Sequence, residues 1–106
     1  MNSKFQPFIN IANRVKEISN YTGRGYVVVF DGKYIGLRDE TEKKTIGIYL
    51  ISENGFERFV YFIGRLKQAL LLQSYRDNGI RVDLDDWSKA VDFIKETYGY
   101  NIVVKL

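Results

Sequence analysis

The stretch Lys44–Gln73, KTIGIYLISENGFERFVYFIGRLKQALLLQ, decides the fold. Thr45 to Ile51 alternates as a strand does. From Phe56 onward the apolar residues Phe56, Phe59, Ile63, Leu66 and Leu70 recur at alternating three- and four-residue steps, reinforced by Val60 and Phe62, which is the spacing of one helix face. A helix this apolar must be buried. Asn54, with Glu57 three positions on, reads as a capping box that starts it. A strand running through a short cap into a buried helix is therefore the unit the rest of the chain has to cover.

Upstream, Asp31-Gly32 stands between two β-rich runs, Tyr26 to Phe30 and Lys33 to Arg38, and predicts a two-residue hairpin turn. In that register Phe30 pairs with Lys33, Val28 with Ile35 and Tyr26 with Leu37 on the face toward the helices. Val29 pairs with Tyr34 and Val27 with Gly36 on the other face. The loop Asp39 to Lys44 is fully charged apart from Thr41 and reads as solvated. In the third strand Ile46, Ile48 and Leu50 alternate toward the core, leaving Thr45, Gly47 and Tyr49 outside.

The ends of the chain add layers. Phe5, Phe8, Ile11, Ala12, Val15 and Ile18 form a helical stripe with Pro7 in the first turn, ending near Tyr21 before the loop Thr22 to Gly25. Past a turn at Tyr75 to Gly79 and a short extended run, Ile80 to Val82, Asp83 or Asp85 caps another helix. That helix carries Leu84, Trp87, Ala90, Val91, Ile94 and Tyr98 on one face and stops at Gly99. Asn101 to Leu106 alternates as a final strand. The expected class is α+β: an antiparallel β meander of three to five strands packed against three helices, in the order α-β-β-β-α-(β)-α-β, within a single domain spanning residues 1–106.

Composition narrows the chemistry. The chain has no Cys and no His, which removes disulfides, thiol nucleophiles, Cys/His zinc sites and the commonest general base. Catalysis would have to rest on carboxylates, Lys or Tyr, and no spacing brings such groups together, so a non-enzyme without cofactor is expected. Asp83, Asp85 and Asp86 crowd a helix start, where acidic groups answer the helix dipole, and no metal is expected there. No run of about eighteen apolar residues exists, so no membrane span is expected and a cytoplasmic location follows. Sixteen Lys and Arg against 13 Asp and Glu give a net charge of +3, which permits a polyanionic partner.

The candidate site is the sheet face turned away from the helices. Tyr34, Tyr49 and Arg38 beside Gly36 and Gly47 would make a shallow platform on which nucleobases stack. Lys43 and Lys44 flank it, and Arg24 sits in a Gly-flanked loop suited to phosphate. The same face could instead be covered by the third helix or a second subunit. A second cationic stripe, Arg58, Tyr61, Arg65 and Gln68, follows the polar side of the central helix.

The meander ending in Gly47-Ile48-Tyr49-Leu50 and feeding a helix from Phe56 resembles the single-stranded-DNA-binding domain of the positive-cofactor transcriptional coactivators. Gly79-Ile80-Arg81-Val82, followed by Trp87-Ser88, looks like the same junction again. This chain adds an N-terminal helix and a C-terminal helix and strand, and its loop before the strand is half acidic where that family is basic. The resemblance implies a homodimer gripping single strands on the sheet, with Arg38, Lys43, Lys44, Tyr34 and Tyr49 as contacts. Unpaired sheet edges also favour a homodimer. Two expectations stand: a binder of single-stranded nucleic acid, or a protein-interaction module such as a virus- or plasmid-encoded regulator of a host protein.

Overall fold

A computed structural model describes residues 6–99, in the order α1 (Gln6–Thr22), β1 (Tyr26–Asp31), β2 (Tyr34–Asp39), β3 (Lys44–Leu50), α2 (Glu53–Asp77) and α3 (Leu84–Tyr98). The expected final strand at Asn101 to Leu106 and the stripe position Phe5 lie outside the described residues. The α+β class and the meander hold: the sheet is antiparallel with order β1-β2-β3, and the helices lie on one face of it. Residues 80–82 form no strand. The central helix α2 lies across the layer, flanked by α1 on the β1 side and α3 on the β3 side. Between helices and sheet sit Ile11, Ile18, Ile35, Leu37, Ile46, Phe59, Ile63 and Leu66, each essentially sealed from water. Each such side chain contributes about 1.5–3 kcal/mol by leaving solvent.

Helix boundaries moved where local chemistry outweighed periodicity. Ser52, not Asn54, caps α2, its hydroxyl accepting from Gly55 N at 3.0 Å. Gly55 then lies against the carbonyl of Leu50, where any Cβ would collide, so glycine lets the strand turn directly into the helix. The far end of α2 continues through Tyr75 and Arg76 to Asp77, into the first part of the expected turn, with Asn78 closing it. Asp83 caps α3, accepting from Asp85 N at 3.0 Å and Asp86 N at 3.2 Å, and Gly99 ends it. Ala12 and Leu84 fall on exposed faces rather than in the core.

The hairpin turn also differs. Asp31 pairs with Tyr34, so the two loop residues are Gly32 and Lys33, with Gly32 at φ +59° in the position that a II′ turn gives to glycine. The register is shifted by two from the expected one: Val28 faces Leu37, and Val29 faces Gly36. A shift of two keeps every side chain on its face, so Tyr26, Val28, Ile35 and Leu37 still point toward the helices, whereas Phe30, expected beside them, is 56% exposed near the end of its strand.

Candidate interaction surfaces

The third strand does not keep its alternation. Gly36 pairs with Ile48 but Leu37 pairs with Ile46, which leaves Gly47 as an extra residue in a β-bulge. Gly47 has φ +64°, and a Cβ there would run into the Phe62 ring, so both its backbone and its lack of a side chain are used. Beyond the bulge the faces exchange. Ile46 is buried, whereas Ile48 and Leu50, expected in the core, are 61% and 52% exposed on the outer face. Tyr49, expected on the outer face, turns inward and sets its ring 6.0 Å from Phe59 and 6.1 Å from Phe62.

The outer face therefore reads, row by row across the strands, Asp31, Tyr34, Leu50; then Val29, Gly36, Ile48; then Val27, Arg38, Thr45. Val29, Ile48 and Thr45 side chains close over Gly36. Tyr34 and Val27 are 43% and 41% exposed. Of the two rings proposed to stack bases here, Tyr34 alone remains on this face. Arg38 is half-buried, its Nε 3.3 Å from Glu40. The surface is aliphatic.

Two of the expected phosphate ligands are engaged elsewhere. Asp39 follows Ile35 and Leu37 at the inward period of β2 and is fully buried instead of lying in a solvated loop. Its Oδ1 accepts from Thr41 N and Glu42 N at 2.9 and 3.1 Å, and its Oδ2 accepts from Arg24 Nη1 at 3.1 Å and the Tyr98 hydroxyl at 2.7 Å. Tyr98 and Tyr26 hydroxyls meet at 2.9 Å. Arg24 also contacts Glu42 at 3.1 Å. Lys44 Nζ donates to the Tyr98 carbonyl. Burial would lower the Arg24 pKa, but the charge of Asp39 and the bond to Glu42 outweigh it and the net shift is upward. Burial pushes Tyr26 up to about 12, and burial together with Tyr26 raises Tyr98 further. This knot ties the loop before β1, the β2–β3 turn and the end of α3 into one unit. Lys43, at φ +54°, stays exposed in the turn.

The helical side gathers what the sheet does not. Along the solvent face of α2, between the ridges of α1 and α3, runs a trough of about 810 Å³. Tyr61 and Gly64 line it, with Arg65 beside the α3 wall, where its guanidinium carbon lies 4.5 Å over the Phe93 ring. Arg14 from α1, Lys67 from α2 and Lys89 from α3 bring further positive charge, against Asp86 as the acid in the lining. Glu17, on the α1 side, bonds Lys67 at 2.8 Å and approaches Arg14 at 3.7 Å. The Lys67 bond holds the Glu17 carboxyl below its ordinary range. Tyr61, 70% exposed, also lines a neighbouring hollow of about 410 Å³ with Tyr49, Arg58, Asn54 and Glu57.

The structure thus brings Tyr49, Arg58, Tyr61 and Arg65 into one neighbourhood and leaves Arg24, Tyr34, Arg38, Lys43 and Lys44 outside it. Arg14, Lys67 and Lys89 were not anticipated. Each sits on the polar side of its helix, and their convergence depends on how three helices pack. Among the described residues no group of three acidic, His or Cys side chains could hold a metal, and no helix is long and apolar enough to cross a membrane. No protein-family model and no curated protein matches the sequence, and no solved structure matches the fold.

Proposed function

We propose that this chain is a non-enzymatic binder of single-stranded nucleic acid, and that it binds through the helical trough rather than through the sheet. The observation that carries this reading is the shared position of Tyr61, an exposed ring at the junction of two concavities, the larger of which has Arg14, Arg65, Lys67 and Lys89 in its walls against one acid, Asp86. A polynucleotide needs cations spaced along its backbone and a ring for a base to stack on. Arg58, Arg65 and Lys89 supply the first and Tyr61 the second, with Gly64 leaving open space beside the ring. The outer sheet face lacks that combination, since its centre is aliphatic and Arg38 is drawn toward Glu40.

Fluorescence anisotropy with a labelled oligothymidylate and a duplex of equal length, across a salt series, tests the proposal. We expect preference for the single strand and affinity that falls steeply with salt. Tyr61→Ala weakens binding about fivefold or more, as loss of one stacked base implies. Tyr34→Ala leaves it unchanged. The reverse pattern, with Tyr34 sensitive and Tyr61 silent, returns the site to the sheet, and no binding at low salt removes the nucleic-acid reading. The alternative, a protein-interaction module, is favoured by a separate observation, the exposed aliphatic sheet face.

A further inference from the structure

We infer that the outer sheet face is a homodimer interface, in which two copies of this chain pack sheet against sheet about a two-fold axis running across the strands near Gly36. Ile48, Leu50, Val27 and Tyr34 are each between 41% and 61% exposed on a single regular surface. Four large apolar side chains side by side on one face make a contiguous patch of the kind that marks association. The occupant is indicated by charge. Asp31 lies in the row at one end of the face and Arg38 in the row at the other, on either side of the Gly36 row. Turning one copy over about an axis across the strands at Gly36 sets the Asp31 end of each copy over the Arg38 end of the other. Asp31 of each copy then lies over Val27 and one strand across from Arg38 of the other, which can exchange its exposed contact with Glu40 for Asp31, and Ile48 and Val29 meet their own symmetry mates across the middle.

Packing of this kind is ordinary: sheets stack at about 10 Å with their strands within about 30° of alignment. The axis across the strands is preferred to one along them, because the latter would place Arg38 over Arg38 and Asp31 at the same end as Asp31. Three strands at about 4.8 Å and six residues at about 3.3 Å make a face of about 10–15 by 20 Å. Each copy then contributes about 200–300 Å² of flat area, below the range of stable specific interfaces, so the dimer is weak and forms toward the millimolar end of concentration. The trough lies on the other side of the helix layer, so a dimer of this geometry exposes two nucleic-acid surfaces pointing outward. This inference does not depend on what fills the trough.

Sedimentation equilibrium over a micromolar to millimolar series of the full chain tests it. The wild type shifts from monomer to dimer across the series. Ile48→Lys, at an exposed position, keeps the circular dichroism of the wild type and weakens the dimer about 100-fold or more, because each dimer carries the change twice. Asp31→Arg and Arg38→Asp each weaken association, and the two together restore it. A chain that stays monomeric to millimolar concentration overturns the inference and leaves the face to an unrelated protein. A dimer indifferent to Ile48→Lys also overturns it, pointing to an edge or helix contact. A dimer broken by Ile48→Lys but not restored by the double swap refutes the axis. Should Ile48→Lys fail to fold, the charge swap decides alone.

Discussion

Two places in this molecule reverse the usual sorting of side chains. At the inner end of β2 a carboxylate, Asp39, is fully buried, while on the outer face of β3 an isoleucine, Ile48, is 61% exposed. Their surroundings differ in a way that separates structure from function. Every oxygen of Asp39 finds its donors within the chain, from Arg24, Thr41, Glu42 and Tyr98. Its burial is complete and needs nothing further. Ile48 has Gly36 and its neighbours below it and water above. A buried charge that is satisfied internally reports on folding, whereas exposed aliphatic surface left unsatisfied by its own chain reports on a partner.

The sharpest way to break the comparison is to remove the buried charge. Asp39→Ala leaves Arg24 without its buried partner and strips the Tyr98 hydroxyl and two backbone amides of their acceptor. Arg24 is about a third exposed and keeps Glu42, so the cost comes from the stranded hydroxyl and amides, about 1–3 kcal/mol. Urea unfolding of the variant should show a loss in that range. A cost below about 1 kcal/mol would mean water reaches the site and that the knot is an ordinary surface pair.

A gentler probe of the same knot is alkaline pH. An ordinary tyrosine titrates near 10, but burial, aided by the Asp39 charge, pushes Tyr26 up to about 12, and Tyr98 moves in the same direction. Below pH 10 the phenols are protonated whether the chain is folded or not, and stability is at its full value. Between pH 10 and 12 the unfolded chain releases the Tyr26 proton first, so it binds fewer protons than the folded chain and stability falls as pH rises. The slope is at most about 1.4 kcal/mol per pH unit for each phenol. Urea midpoints measured from neutral pH upward should decline through this window, and Tyr26→Phe should flatten the decline. An equal slope in the variant would take Tyr26 out of the linkage and leave the loss to Tyr98.

Much of the fold was legible because periodicity tolerates certain errors. The Asp31-Gly32 signal puts the hairpin turn one residue early, since the loop is Gly32-Lys33, and moving a turn by one residue changes the register by two. Since side chains alternate with period two, Val28, Ile35 and Leu37 stayed on the core face. The bulge at Gly47 is the opposite case. One extra residue exchanges the faces, so Ile48, Tyr49 and Leu50 were all assigned to the wrong side, and with them the centre of the expected platform. A signal existed, since a lone glycine inside a strand pattern often marks a bulge. Asp39 hid for another reason: its inward phase followed from Ile35 and Leu37, but its partners Arg24 and Tyr98 are 15 and 59 residues away. The trough and the hollow beside it are half visible, as the stripe Arg58, Tyr61 and Arg65. Arg14 and Lys89 join it only through the packing of α1 and α3 on α2, which local sequence does not encode.

The bulge itself can be weighed with two conservative substitutions on one strand. Ile46 and Ile48 are two residues apart, and in an uninterrupted strand they would share a face and respond alike to truncation. Here Ile46 is 2% exposed under the helices and Ile48 is 61% exposed on the other side. Ile46→Ala should therefore cost about 2–5 kcal/mol, the transfer and cavity terms of a core residue. Ile48→Ala, measured at a concentration too low for self-association, should stay within about 0.5 kcal/mol of the wild type. Comparable losses at both positions would restore the unbroken alternation, put Ile48 back in the core, and leave the sheet with no aliphatic outer face to offer a second copy. A large difference under dilute conditions that narrows for folded dimer would instead locate the worth of Ile48 in contacts made between chains.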